Sequence, residues 1–175
     1  MENGKEKVMR ILDRVLPAET AYAHCDIPCG IYDPHLAQLA AHTVIRMVNL
    51  IEELTGKTGK DLNPDELQHY VHDIGRYTEI KEKHAEICKH EIRILWGDYF
   101  NHDHVDKFPN LHDLVWQTMK LGSKAKQNVD LQAAENLLET VNKIAEIFWK
   151  TKDVETVRVE SFYPTKREMV YPRTQ

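Results

Sequence analysis

From Asp33 onward the apolar residues of this chain return at helical spacing almost without a break, and that period limits the fold more than any other feature. Asp33-Pro34 reads as a helix start, with a capping side chain and a proline suited to the first turn. Leu36, Leu39, Ala40, Val44, Met47, Leu50, Ile51 and Leu54 mark one face, and Gly56 stops it. Asn63-Pro64 repeats the start signal before a face of Leu67, Val71, Ile74, Tyr77, His84, Cys88 and Leu95. This second stretch could reach Phe100, which is long, and Gly75 is its expected weak point or kink. A polar loop, "NHDHVDKFPN", comes next. Asn110 with Asp113 is expected to cap a third stretch that Gly122 ends. Asp130 caps the fourth, whose face is Leu131, Ala134, Leu137, Leu138, Val141, Ala145 and Phe148. Four amphipathic helices on short connections predict an all-α protein, an antiparallel up-and-down four-helix bundle.

After Lys152 the pattern changes. "TVRVESFY" alternates, and Pro164 and Pro172 exclude a helix to the end. Phe162, Tyr163, Met169, Val170 and Tyr171 are too apolar for a plain solvated tail. An extended arm docked on a neighbouring molecule is therefore expected rather than a disordered end.

The chain has 175 residues, enough for one domain with a proper core. A net charge of -5 and the lack of a basic run argue against nucleic acid. No apolar stretch approaches a membrane span. Three cysteines, unevenly placed, fit a reducing compartment, so a cytoplasmic protein is expected. The first 23 residues end in an A-x-A pattern at Ala21 and Ala23. Arg10, Asp13 and Arg14 interrupt Met9, Ile11, Leu12, Val15 and Leu16, so the apolar core of an export signal is missing. A short amphipathic helix remains, either part of the mature fold or a propeptide removed without export.

The stretch "AYAHCDIPCGIYDPH" gathers two of the three cysteines beside a histidine. A C-x3-C pair alone could be a redox disulfide, part of a zinc site, or nothing. Thiolates together with nitrogen donors suit copper, nickel or zinc. A tetrahedral zinc site would need two further ligands, and no second cysteine pair exists. A four-coordinate plane is possible if the backbone contributes nitrogens.

"HCDIPCGIYDP" resembles the metal-binding hook of the nickel superoxide dismutases, H-C-x-x-P-C-x-x-Y. "ILWGDYF", "FPNLHDLVWQT" and "IFWKTK" resemble later blocks of that family, in order, so the likeness runs from His24 to Lys152. The resemblance implies a propeptide over 1–23, a hook and bundle over 24–152, and a C-terminal extension over 153–175. It implies a homohexamer, a processing peptidase that cuts after Ala23, and superoxide as substrate, disproportionated to oxygen and hydrogen peroxide by a nickel ion cycling between Ni(II) and Ni(III). Nickel would be held by the α-amine of His24, the amide nitrogen of Cys25 and the thiolates of Cys25 and Cys29. The His24 imidazole would be the axial ligand of the oxidised state. Asp26 and Tyr32 would line the approach, Pro28 would shape the turn, and Tyr99 matches a tyrosine near the site. Lys152 is a candidate for drawing in the anion. Some members orient the axial imidazole with a glutamate and an arginine, and the matching positions here are Ala40 and His84.

Other groups have plainer readings. Cys88 falls on an apolar helix face, where a thiol acts as a small hydrophobe. His102 and His104 are expected to be solvated. A di-iron bundle needs two Glu-x-x-His pairs, and only Glu66 to His69 fits. The alternative from another class is a non-catalytic nickel-binding or helical interaction protein.

Overall fold

The structure, a computed structural model, describes residues 30–57 and 62–173. His24, Cys25, Asp26, Pro28, Cys29 and the expected propeptide helix lie outside these residues. Five helices follow in order: α1 (His35–Lys57), α2 (Pro64–Ile94), α3 (His102–Lys107), α4 (Leu111–Gln127) and α5 (Leu131–Thr151). Two strands close the chain, β1 (Thr156–Glu160) and β2 (Glu168–Pro172).

The four long helices form the expected bundle. α1 packs on α2 and α5, and α4 packs on the same two, which closes a square. Tyr32, just before α1, meets Tyr99 after α2, and Tyr99 meets Phe148 near the end of α5. The start of α1 and the ends of α2 and α5 thus share one end of the bundle, so α1 runs antiparallel to both. Val44, Ile45, Cys88, Ile92, Val141 and Phe148 are among the side chains sealed in the core. The apolar face of α1 lies slightly off the expected line. Ala37, Ala41, Ile45 and Val48 are fully buried, while Leu36 is exposed.

Several local expectations are corrected. Gly75 does not break α2, which runs on past it as one helix. It is exposed, with no atom close enough to meet an added Cβ, so no packing force acts on the helix there. Leu67 and Val71 are exposed, so the first turns of α2 lie outside the core. The irregularity comes at the other end, where Leu95–Tyr99 forms a π turn closed by Phe100 N–H donating to the Leu95 carbonyl at 2.9 Å. The polar loop contains helix α3, because Asn101 and His104 make a reciprocal cap across its first turn. Asn110 occupies the cap position of α4 but its side chain caps nothing, and Asp113 instead accepts from Gln117. Gly122 does not end α4. It is buried against α2, where an added Cβ would lie 2.8 Å from Lys89 Cγ. Asp130 caps α5 as expected, accepting from Ala133 N–H at 2.8 Å.

Lys81 is a buried charge that the apolar pattern hides. Its Nζ donates to the carbonyls of Ala125, Lys126 and Asn128 at 2.6, 2.7 and 3.0 Å. A cation there satisfies the orphan acceptors at the end of α4 and is favoured by the negative end of the helix dipole.

The C-terminal tail is neither disordered nor an arm reaching for a neighbour. It is an antiparallel hairpin, with Val157 opposite Tyr171 and Val159 opposite Met169, docked on its own bundle. Met169 and Val170 are buried against the helices. Gln38 of α1 pairs with both backbone groups of Val170, accepting from its N–H at 2.7 Å and donating to its carbonyl at 3.2 Å. Asn142 of α5 donates to the Glu168 carbonyl, and Arg158 is held by Glu139 and Glu146. The seam is mostly polar. Gln38, His42, Asn142, Ser161 and Thr165 are all buried in it. A local partner was available because α1 and α5 present these groups side by side.

Candidate metal centre

The described chain begins where the hook would end. Gly30 has φ of +79°, a left-handed turn that glycine adopts without strain. Asp33 accepts from the His35 N–H at 2.6 Å, and the Pro34 carbonyl accepts from Gln38 N–H at 3.2 Å. The expected start signal therefore works one residue later than read, as an Asx turn leading into α1.

Tyr32 is half-buried at this root, and its ring centroid lies 5.5 Å from that of Tyr99. Tyr99 sits in the middle of an aromatic cluster, 4.7 Å from Phe148, 5.2 Å from Phe100 and 5.6 Å from His104. The π turn places it there. Widening that turn directs Tyr99 inward, while Trp96, Gly97 and Asp98 stay exposed. Such turns recur at functional sites, because they re-aim one side chain at little cost to the helix.

Tyr99 is also oriented by hydrogen bonding. Its hydroxyl lies 2.6 Å from Thr151 Oγ1, and Thr151 spends its own proton on the Phe148 carbonyl, also at 2.6 Å. The Tyr99 O–H is therefore the donor. Lys152 Nζ lies 5.1 Å from the ring centroids of both Tyr99 and Phe148. The cluster thus has a positive charge over its aromatic faces, although the chain carries a net -5.

The other candidates fall away. Cys88 is fully buried in the core, and burial pushes its thiol up to about 12, so it offers no thiolate. Among the described residues no group of three or more His, Cys, Asp or Glu side chains could hold a metal ion. Glu66 closes the capping box of α2 with Asn63, which removes the di-iron reading. His104 is not simply solvated, since its ring stacks on Tyr99. Ala40 is buried in the core, and His84 Nδ1 lies 2.9 Å from the carbonyl of Ile80 on its own helix. The chemistry of the donor set fits a thiolate-bound metal only if Cys25 and Cys29 supply the sulfur, with His24 beside them.

The structure brings together Tyr32, Tyr99 and Lys152, which the sequence had singled out. Sequence reasoning missed Thr151 and the stacked His104, which no spacing rule flags.

Residues 19–152 match the family model described as nickel-containing superoxide dismutase. The nickel superoxide dismutase of Streptomyces coelicolor is 40% identical over 136 residues, spanning 78% of this chain and 93% of the relative. That of Streptomyces seoulensis is 38% identical over the same shares. The native structure of a nickel superoxide dismutase aligns with a TM-score of 0.60 at 39% identity, covering 74% of this chain and 99% of that one. An apo structure aligns at 0.58 and 36%, covering 71% and 99%. The family match stops one residue after α5, and the hairpin follows it.

Proposed function

This chain belongs to the nickel-containing superoxide dismutases and disproportionates superoxide with a nickel cofactor, and on that premise we propose that its metal centre is the N-terminal hook, opened by cleavage after Ala23. Residues 1–23 are then a propeptide, 24–152 the hook and bundle, and 153–175 an extension. His24, through its amine and imidazole, and Cys25 and Cys29 would hold the nickel. When bound, the nickel supplies the one-electron couple by which one superoxide is oxidised and the next reduced. The observation that carries this is the root of the hook. Residues 30–34 lead straight into the Tyr32–Tyr99 cluster, while the sole described thiol is sealed in the core.

Each neighbouring side chain has a task. Lys152 raises the local concentration of a small anion. Tyr32 and Asp26 line its approach, Tyr32 following Cys29 by three residues in the sequence. Tyr99 donates to Thr151, so it holds its ring still against Tyr32 rather than giving up a proton. We read the protein as a cytoplasmic antioxidant enzyme, assembled as a homohexamer after a processing peptidase has acted. No helix among the described residues is long and apolar enough to cross a membrane.

Cleavage matters because the nitrogen of His24 is an amide while Ala23 is attached; an amide nitrogen donates only after losing its proton, as that of Cys25 would, whereas a free amine donates as a neutral group. The test compares the full chain, a chain starting at His24, and one with a single extra residue before His24, each given nickel. Superoxide turnover is expected from the second alone. Equal turnover by the uncleaved chain would remove the α-amine as a ligand. Tight nickel binding with no turnover in any form would select the non-catalytic alternative.

A further inference from the structure

An open apolar groove lies between α2 and α4, close to the end of the bundle where the hook is rooted. Trp96, Val115, Trp116 and Met119 line it, with Arg93 and His112, and it encloses about 460 Å³. Trp96 is 45% exposed and Trp116 is 60% exposed, a large uncovered indole area. The walls are fixed. Trp96 Nε1 donates to His112 Nδ1 at 2.9 Å, and Lys120 Nζ lies 5.3 Å from the Trp116 ring centroid. An apolar trough with held walls and a basic rim is built to be covered.

We propose that residues Val8 to Leu16 of this same chain cover this groove until the propeptide is cut away. This rests on the cleavage proposed above and adds what the propeptide does while attached. The apolar residues Val8, Ile11, Leu12 and Val15 recur at helical spacing, which gives one face. As a helix, nine residues would span about 14 Å. The groove follows α4 from His112 to Met119, a rise of about 11 Å.

The tether decides the occupant. Trp96 lies in the π turn that ends in Tyr99, and Tyr99 touches Tyr32. Thirteen residues lie between Leu16 and Gly30, and extended they reach about 45 Å. A segment so attached acts at a local concentration in the millimolar range. A second copy of the chain at micromolar concentration cannot match that. Cleavage after Ala23 removes the advantage, so a weakly docked segment departs and the groove opens as the hook is freed.

The test needs neither nickel nor turnover. A Trp149→Phe background leaves Trp96 and Trp116 as the only indoles. In the uncleaved chain, Leu12→Asp with Val15→Asp should shift tryptophan emission to the red and raise acrylamide quenching at least twofold. Neither residue belongs to the described core, which runs from Ala37 to Phe148, so folding is not in question. A synthetic peptide of residues 1–23, added to the chain that starts at His24, should reverse the shift, and Trp116→Ala should abolish that response. Identical emission and quenching with and without the two aspartates would overturn the proposal. So would protection that follows protein concentration and ignores the propeptide, which would assign the groove to a second copy. Either result leaves the dependence of turnover on cleavage standing.

Discussion

Acid should loosen the C-terminal hairpin through one side chain, His42. It is 3% exposed, between α1 and the hairpin loop. Its Nδ1 lies 2.7 Å from Thr165 Oγ1, its ring is edge-on to Tyr163, and Nε2 is buried with no hydrogen-bond partner among the described residues. Burial lowers its pKa from 6.5 to about 4, opposed by the Glu168 carbonyl and helped by the Arg167 cation. Arg46 lines the same small pocket and adds no acid that would welcome a charge. A depressed histidine favours the neutral form in the fold. Its contribution is complete above 6.5 and is lost as pH falls toward 4. That interval, at 1.36 kcal/mol per unit, corresponds to about 3 kcal/mol. For a chain of this length it is worth roughly 6–12 °C in Tm. The assay is thermal unfolding from pH 7 to pH 4 for the native chain and His42→Gln, which stays neutral throughout. Carboxylates titrate in both, so the difference between the curves isolates His42. Hydrogen exchange at the Val170 amide, held by Gln38, reports whether the loss is at the hairpin. Parallel curves would refute a buried neutral His42.

Three further outcomes are expected. Cys25→Ser or Cys29→Ser should abolish nickel-dependent turnover with the helical circular dichroism unchanged, whereas Cys88→Ala should stay active and lose on the order of 1 kcal/mol in denaturant unfolding. Lys152→Glu should lower kcat/KM on the order of 3-fold and flatten its dependence on ionic strength, measured by pulse radiolysis. Lys81→Met keeps the volume but strands the carbonyls of Ala125, Lys126 and Asn128, and urea unfolding should show a loss of about 2–4 kcal/mol.

Much of the fold was legible because helical period and capping are local. Asn63 with Glu66 and Asp130 with Ala133 close within one turn, so residue type and spacing settle them. The proposed hook can be named from sequence for a similar reason, since all of its side chains fall within six residues, His24 to Cys29. Where expectation failed, the deciding partner was distant in sequence. Gly122 looked like a stop, but Lys89 on another helix uses the space it leaves. The tail looked like an arm for a neighbour, because nothing in its own pattern says that Gln38 lies waiting 132 residues away. Lys81 drew no notice in the sequence, because the three carbonyls that hold it come from the end of α4 and the residue after it, 44 to 47 residues away. Sequence by itself determined the helices and their order, since these depend on neighbours along the chain. Tertiary structure alone decided that Tyr99, Thr151 and Lys152 gather at the root of the hook. That meeting depends on the π turn and on α5 ending at the same level as α2, and no single segment encodes either relation.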